Sequence, residues 1–549
     1  MTSPGTQTSP LWWVVAVLLC LSAFFVHNDA TQPDIMEQRN IITAREMVYE
    51  GHWMVPTMNG ELRLEKPPLP TWAAGVIEKY CPYSLGAQRA AAGLMACLWA
   101  WWFYLLVLYV SRRRETAVIT AVVFVTCYAV IFAGRSAMWD IWCHSFMTGA
   151  CYHLLRGLTG HRRQRTSLLW AGILMGLSFM SKGPIAFYTT LLPFLIAMAL
   201  TMKPHVKGRK GFLLLMIAIA VIVSCWWYVY ILLRHPEAME AVASKETGAW
   251  ATRHTRPFWH YWKFFTETGI WAFLTLAALA IPYWRRRITD RQTYLFGITW
   301  MLAALIILSL PPEKKTRYLL PMMPACAMAV GALLAHFATG ALHKEKGSQR
   351  IFLFNGYLTS LLVLAMPAAL WWLYDQHYIG LAGMITADVL LLVLAFWIAQ
   401  ATYHLHVPHF LAGIAVLFAV IEWTVLPAVG RYFDQPYRPG LEATRQDSRL
   451  QHISFYQDKN ADKLRIQLVY YAGKKILPLN LQDSAAVMQS LPCAVVSLKP
   501  VLKLPETVLQ QADTTLIGRY DDNSHRKTTR RYSDTFITYV TLITPKHHE

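Results

Sequence analysis

Charged residues are scarce in this chain, 15% of 549 against roughly a quarter in an ordinary soluble protein. That shortage, beside a 55% hydrophobic content, excludes a wholly soluble enzyme and a disordered chain. Cysteine is thin too: nine residues, with no CxxC or Cys/His spacing of the kind that holds a metal cluster or a small disulfide scaffold. Cys20, Cys97, Cys127, Cys143, Cys151, Cys225 and Cys326 lie in apolar blocks, where cysteine is a small buried hydrophobe. Cys81 and Cys493 fall in segments read as outside the membrane, and a bridge between them stays open. There is no internal repeat and no low-complexity tract, and a fibrous chain is excluded.

What the chain has is apolar blocks of about 17–24 residues, the length that crosses a bilayer core of about 30 Å at 1.5 Å per helical residue. Thirteen such spans are expected, near 11–27, 87–110, 116–134, 138–156, 166–181, 184–202, 212–233, 266–284, 292–310, 318–338, 351–373, 382–403 and 408–428. The first is read as an uncleaved helix, because Asn28-Asp29-Ala30 makes a poor signal-peptidase site. The formal charge of +19 would suggest nucleic acid in a soluble chain, but its distribution excludes that partner. The densest basic clusters are Arg112-Arg113-Arg114, 161–165, 203–210, Arg285-Arg286-Arg287 and 344–350, all on alternate short connections. That is the positive-inside bias of a multi-pass membrane protein.

With the N-terminus inside, three unusual segments are exported: the loop 28–86, the loop 234–265 and everything after 430. The expected domains are thus a transmembrane body over 1–430 and a small exported α/β domain over 431–549. Within the first loop, 35–50 places Ile35, Ile42, Met47 and Val48 near one face, as an amphipathic helix on the membrane surface would. A second such helix is expected over 70–80, and Trp53, Trp72, Trp227, Trp259, Trp262 and Trp271 suit interfacial anchoring. Beyond 430, strand-like runs stand at 452–457, 466–472, 493–498, 514–520 and 535–543, and helix-like runs at 481–491 and 504–511.

The chemistry-bearing residues gather on the exported side. Glu65-Lys66 stands just before the rigid Pro67-Pro68, either as a surface ion pair or as a fixed ion site. Arg135 and Asp140, in GRSAMWD, sit at the mouth of two apolar helices, where charge is costly and a functional role competes with a helix-end salt bridge. Lys182, before Gly183-Pro184, is on the wrong side for a topology signal and is a candidate phosphate contact as well as a snorkelling lysine. His254 and Arg256 in the second exported loop, and Lys314, Arg317 and Tyr318 in the connection 311–318, add cations to the same face. Positive charge is normally depleted there. An aromatic-walled cationic cavity with a few carboxylates suits an anionic lipid headgroup, above all a phosphate.

The strings TAREMVYEGHWMVPTMNGELRLEKPPLPTW, GRSAMWD, GLSFMSKGPIAF, HTRPFWHY and KKTRYLLPMMP, in this order over about 30–330, resemble the integral-membrane glycosyltransferases that use polyprenyl-phosphate sugars. The aminoarabinose transferase branch, related to the protein O-mannosyltransferases, is the nearest in pattern. The resemblance implies a GT-C fold, all-α and polytopic, with loop helices over a cavity and a soluble C-terminal domain. It implies a multi-pass enzyme of the bacterial inner membrane, its active site and C-terminal domain periplasmic, acting as a monomer. The activity implied is inverting transfer of a sugar from an undecaprenyl-phosphate carrier to lipid A or another envelope glycan.

The resemblance also assigns roles. Glu65 and His254 match a divalent-metal pair (zinc or magnesium), and Lys66 a neighbouring phosphate contact. Asp140 matches the second cavity carboxylate, while Arg135, Lys182, Arg256, Lys314, Arg317 and Tyr318 match phosphate binders or cavity walls. The family's usual Asp-Glu opening is replaced by Met36-Glu37, so the catalytic base is left between Glu37, Asp29 and Asp34. A phosphate acceptor needs no base, whereas a hydroxyl does. The rival readings are an O-mannosyltransferase-like enzyme acting on a protein hydroxyl, a flippase for lipid-linked sugars, and a non-catalytic lipid-binding scaffold. A flippase would want ionisable groups at mid-bilayer, where these spans carry few.

Overall fold

The computed structural model describes residues 10–160, 163–252, 254–433, 440–461, 464–523, 530 and 532–546; His161 and Arg162 of one basic loop lie outside them. The chain forms two compact units, one of Met1–Asp29, Leu64–Pro70 and Arg89–Ala428, the other of Ala30–Arg63, Thr71–Gln88 and Val429–Glu549.

The first unit is helical, and helices stand at each of the thirteen apolar blocks. Among the described residues seven are long and apolar enough to cross a membrane, and up to nine if each of two bent pairs is one span. The remaining blocks form the short apolar helices Val14–Phe25 and Phe187–Met202 and the longer, more polar Trp139–Thr159 and Gln164–Lys182. The expected count of thirteen spans is thus not reproduced by length and composition among the described residues, which give seven to nine.

The bends have local causes. Between Arg114–Val125 and Tyr128–Gly134 the axis turns by 68°. There the Thr126 hydroxyl donates to Val122 O at 2.7 Å, a carbonyl that Thr126 N also reaches at 3.1 Å, and accepts from Trp271 Nε1 at 2.8 Å; back-bonding of this kind bends helices. The second pair, Phe258–Ala278 and Ile281–Arg287, turns by 85°. Thr316–Lys344 is the most enclosed span, 94% buried, and its small residues let neighbours approach closely. A Cβ built on Gly331 would lie 2.2 Å from Thr120 Oγ1, so only glycine fits that crossing.

The second unit is built on a five-stranded mixed sheet. Its strands are β1 (Ser454–Asp458), β2 (Ile476–Leu479), β3 (Cys493–Ser497), β4 (Ala512–Asp521) and β5 (Ile537–Pro545), in the order β2-β1-β3-β5-β4. β1 pairs parallel with β2 and β3, whereas β5 pairs antiparallel with β3 and β4. The run 466–472, expected as a strand, is instead the helix Ile466–Ala472, ended by Gly473 at φ 72°. Parallel neighbours need a crossover, and this helix supplies it between β1 and β2. Cys81 and Cys493 are both free thiols, the first exposed and the second buried.

The helix Ile35–Glu50 begins with a capping box between Asp34 and Glu37 and ends at Gly51 in the left-handed region. Its apolar side, with Ile41 and Ile42, packs into a core with Leu441, Phe455, Leu468, Ala494 and Val540. The amphipathic face was legible, but its partner is this sheet unit rather than a lipid surface. Arg45, on the same helix, donates to Glu78 Oε1 at 3.0 Å and to Tyr470 O at 2.8 Å.

Candidate active site

Asp140 occupies the first turn of Trp139–Thr159, and Lys182 is the last residue of Gln164–Lys182. Each charge therefore complements the dipole of its own helix end. The two form a salt bridge and a hydrogen bond, with side chains only 8% and 6% exposed. A buried ion pair persists only with good geometry and further polar partners. Those partners are present: Lys182 Nζ lies 5.6 Å from the centre of the Tyr318 ring, and Arg317 and His144 act on the Asp140 carboxylate. His144 is buried one turn below Asp140, with Nδ1 3.1 Å from Thr190 Oγ1 and its ring stacked on Trp99 at 5.9 Å.

Two loops distant in sequence close over the same unit. Thr255 and Glu313 form an antiparallel bridge, Arg256 N donates to Pro312 O at 3.1 Å, and Lys314 N donates to His254 O at 3.1 Å. Lys314 turns its ammonium to Pro311 O at 2.5 Å and Arg256 O at 3.3 Å, and burial draws its pKa below the usual lysine range. Lys315 pairs with Glu313 at 2.8 Å and lies 5.7 Å from the Tyr318 ring centre. Tyr261 ties the loops together, its hydroxyl donating to Lys315 O at 3.1 Å and accepting from Lys315 N at 3.0 Å. Tyr188 lies close to both Tyr318 and Glu313. Lys182, Lys315 and Arg317 thus gather around the Tyr318 ring, with Asp140 paired to Lys182, and the bridge at Thr255 and Glu313 brings the loop of His254 and Arg256 beside that of Lys314.

Other sequence-derived candidates lie elsewhere. Arg135 donates to Ala23 O at 2.9 Å, Val26 O at 2.6 Å and His27 O at 2.7 Å, closing the C-terminal end of Pro10–Phe25. It also pairs with Glu422 at 2.9 Å. The exposed Asp29 acts on this same guanidinium. Glu37 belongs to the other unit, where its carboxylate accepts from Asp34 N at 2.9 Å. Glu65 pairs with Lys245 at 3.0 Å, beside a half-buried Lys66. Sequence reading missed Glu422, Lys245, Glu313, Tyr188 and His144. Of these, Glu422 carried a signal, an acid inside an apolar block.

The proposed metal pair does not fit a cation well. A divalent ion wants several oxygen or nitrogen ligands at once. Among the described residues no group of three ligating side chains includes Glu65 or His254; the one such group is Glu46, Glu50 and His52. Glu46 is already engaged by Thr57 Oγ1 at 2.6 Å and Gly60 N at 3.2 Å, and Glu50 by Lys475 at 2.8 Å.

The family model described as dolichyl-phosphate-mannose-protein mannosyltransferase matches residues 65–228. An undecaprenyl phosphate-alpha-4-amino-4-deoxy-L-arabinose arabinosyl transferase of Yersinia enterocolitica is 28% identical over 356 residues, covering 61% of each chain. One of Aeromonas hydrophila is 27% identical over 436 residues, covering 76% of this chain and 70% of its own. The chain spans about three fifths of the length of the first of these relatives. The crystal structure of ArnT from Cupriavidus metallidurans bound to undecaprenyl phosphate superposes with a TM-score of 0.68 at 17% identity, over 97% of this chain and 98% of that one. The family resemblance drawn from the sequence agrees with the names of these relatives, and the helical GT-C-type architecture with a C-terminal sheet is the fold found.

Proposed function

We propose that this chain is an inverting glycosyltransferase that moves a sugar from undecaprenyl phosphate to an envelope acceptor, lipid A phosphate being the acceptor of choice. The observation that carries the reading is the buried Asp140–Lys182 pair with the Lys182 ammonium set against the Tyr318 ring. The named relatives, which are aminoarabinose transferases, support the donor class. In the reaction the bond between the anomeric carbon and the lipid phosphate breaks as an acceptor oxygen bonds to the opposite face of that carbon. Lys182 and Arg317 stabilise the charge growing on the departing phosphate, and Tyr318 walls the sugar. Asp140 holds the Lys182 ammonium in place. Arg256 and Lys66 add positive potential at the exported mouth. An inner-membrane location with a periplasmic site follows from this reading.

A protein hydroxyl as acceptor is the second reading, supported by the mannosyltransferase model over 65–228. In that case Glu37 or Asp29 would serve as base. The test is transfer in proteoliposomes from undecaprenyl-phosphate aminoarabinose to lipid A, followed by mass spectrometry. Lys182→Ala and Asp140→Ala are expected to lower turnover at least about a hundredfold, the scale of losing one preorganised charge partner, with insertion intact. Wild-type turnover in either variant would refute the assignment.

A further inference from the structure

Two thiols in the first unit take no part in that site. The helices Pro10–Phe25 and Leu85–Ser111 cross closely at Gly93, where a built Cβ would lie 3.2 Å from Phe24 Cβ and from the Phe25 ring. Cys20 stands four residues before Phe24 and Cys97 four residues after Gly93. One turn away from the crossing, in antiparallel register, the two cysteines therefore face each other. Both residues are half-buried, whereas Cys127, Cys143, Cys151 and Cys326 are buried.

Both cysteines also line one groove of about 320 Å³, together with Val17, Leu21, Trp101 and Tyr104. Its wall carries no charged side chain, and Trp101 and Tyr104 stack at 5.8 Å. An ionic oxidant such as glutathione disulfide pays a large desolvation cost to enter such a place, whereas a flat apolar ring does not.

We propose that Cys20 and Cys97 form a reversible disulfide, and that the oxidant is a lipid-soluble quinone admitted by this groove. Two S–H bonds break and one S–S bond forms; the two electrons and two protons pass to the quinone carbonyls, giving the quinol. The close crossing at Gly93 holds the helix backbones near the separation a disulfide demands. The product is a covalent tie between the helices Pro10–Phe25 and Leu85–Ser111.

The test uses the full-length protein in lipid nanodiscs, exposed to decylubiquinone or to a reductant, then alkylated with a maleimide and digested for mass spectrometry. The expected result is loss of most of the label from both Cys20 and Cys97 after quinone, with a linked peptide that a reductant abolishes. Cys97→Ser should give no linked peptide, and Cys225, half-buried and outside the groove, should keep its label throughout. Equal alkylation of Cys20 and Cys97 with and without quinone overturns the proposal. So does a crosslink formed as fast by glutathione disulfide, or a matching loss of label at Cys225.

Discussion

The Asp140–Lys182 pair shows how little of a site is visible one residue at a time. Each charge was recognisable as costly at a membrane helix end, but their pairing across 42 residues is a product of packing. Removing either partner leaves an uncompensated buried charge, a change of about 3–5 kcal/mol, whereas removing both leaves none. Asp140→Asn and Lys182→Met are each expected to lower the thermal midpoint markedly, and the double variant by less than the sum. Strict additivity would mean that the two side chains do not sense one another. Asp522 in the sheet unit gives a prediction of the opposite kind. Burial pushes its carboxyl up to about 6, above the unfolded value near 3.9, while Oδ1 accepts from Leu441 N at 3.0 Å. The folded state therefore holds the proton more tightly, and this stabilising contribution is present below pH 4 and lost as pH rises through 6. Asp522→Asn keeps the acceptor and removes the titration. The difference in midpoint between variant and wild type should grow in the variant's favour between pH 4 and 6, and a difference independent of pH would contradict this account.

Elements were legible where periodicity decides, and illegible where a neighbour decides. The apolar blocks located the helices because nothing but a helix satisfies backbone groups in lipid. Ile466–Ala472 was misread because Ile, Val and two Tyr favour strands, while the demand for a crossover between parallel β1 and β2 is set by the sheet. The helix Ile35–Glu50 was found with its apolar face, yet the face packs on Phe455 and Leu468. Close crossings are likewise invisible in sequence. Gly331→Ala would drive a methyl group into Thr120, whose Cα is 2.7 Å from the built Cβ. Overpacking of this kind costs about 1–3 kcal/mol, so the variant should unfold several degrees lower in detergent. Gly211→Ala, where nothing lies within 4 Å, is the control and should match or exceed wild type. A Gly331→Ala midpoint equal to that of the control would show that the helices separate without cost.

At the scale of the whole molecule, the charge pattern constrains what bent helices do. Between Arg112-Arg113-Arg114 and the basic stretch at 161–165 stand the bent pair Arg114–Val125/Tyr128–Gly134 and the helix Trp139–Thr159. If that pair dipped in and returned, the two basic clusters would lie on opposite sides of the membrane, against the positive-inside rule. The same reasoning applies to the pair Phe258–Ala278/Ile281–Arg287, which stands between the clusters at 203–210 and 285–287. The rule therefore predicts that both pairs cross once each, with the kinks at Thr126 and Ala280 as bends within spans. From 344–350 onward stand three further helices long and apolar enough to span, Lys346–Asp375, Leu381–Tyr403 and Val407–Phe433, so the same rule predicts that the chain beyond 433 is exported. Single-cysteine reporters at 113, 205, 286 and 346, in a background without the native cysteines, should all be shielded from a membrane-impermeant maleimide added to intact cells. A reporter at 546 should react with it once the outer membrane is permeabilised. Labelling at 205 but not at 286 would make the second bent pair re-entrant, and would put the loop of Lys314 and Arg317 on the face opposite that of His254 and Arg256, dismantling the site.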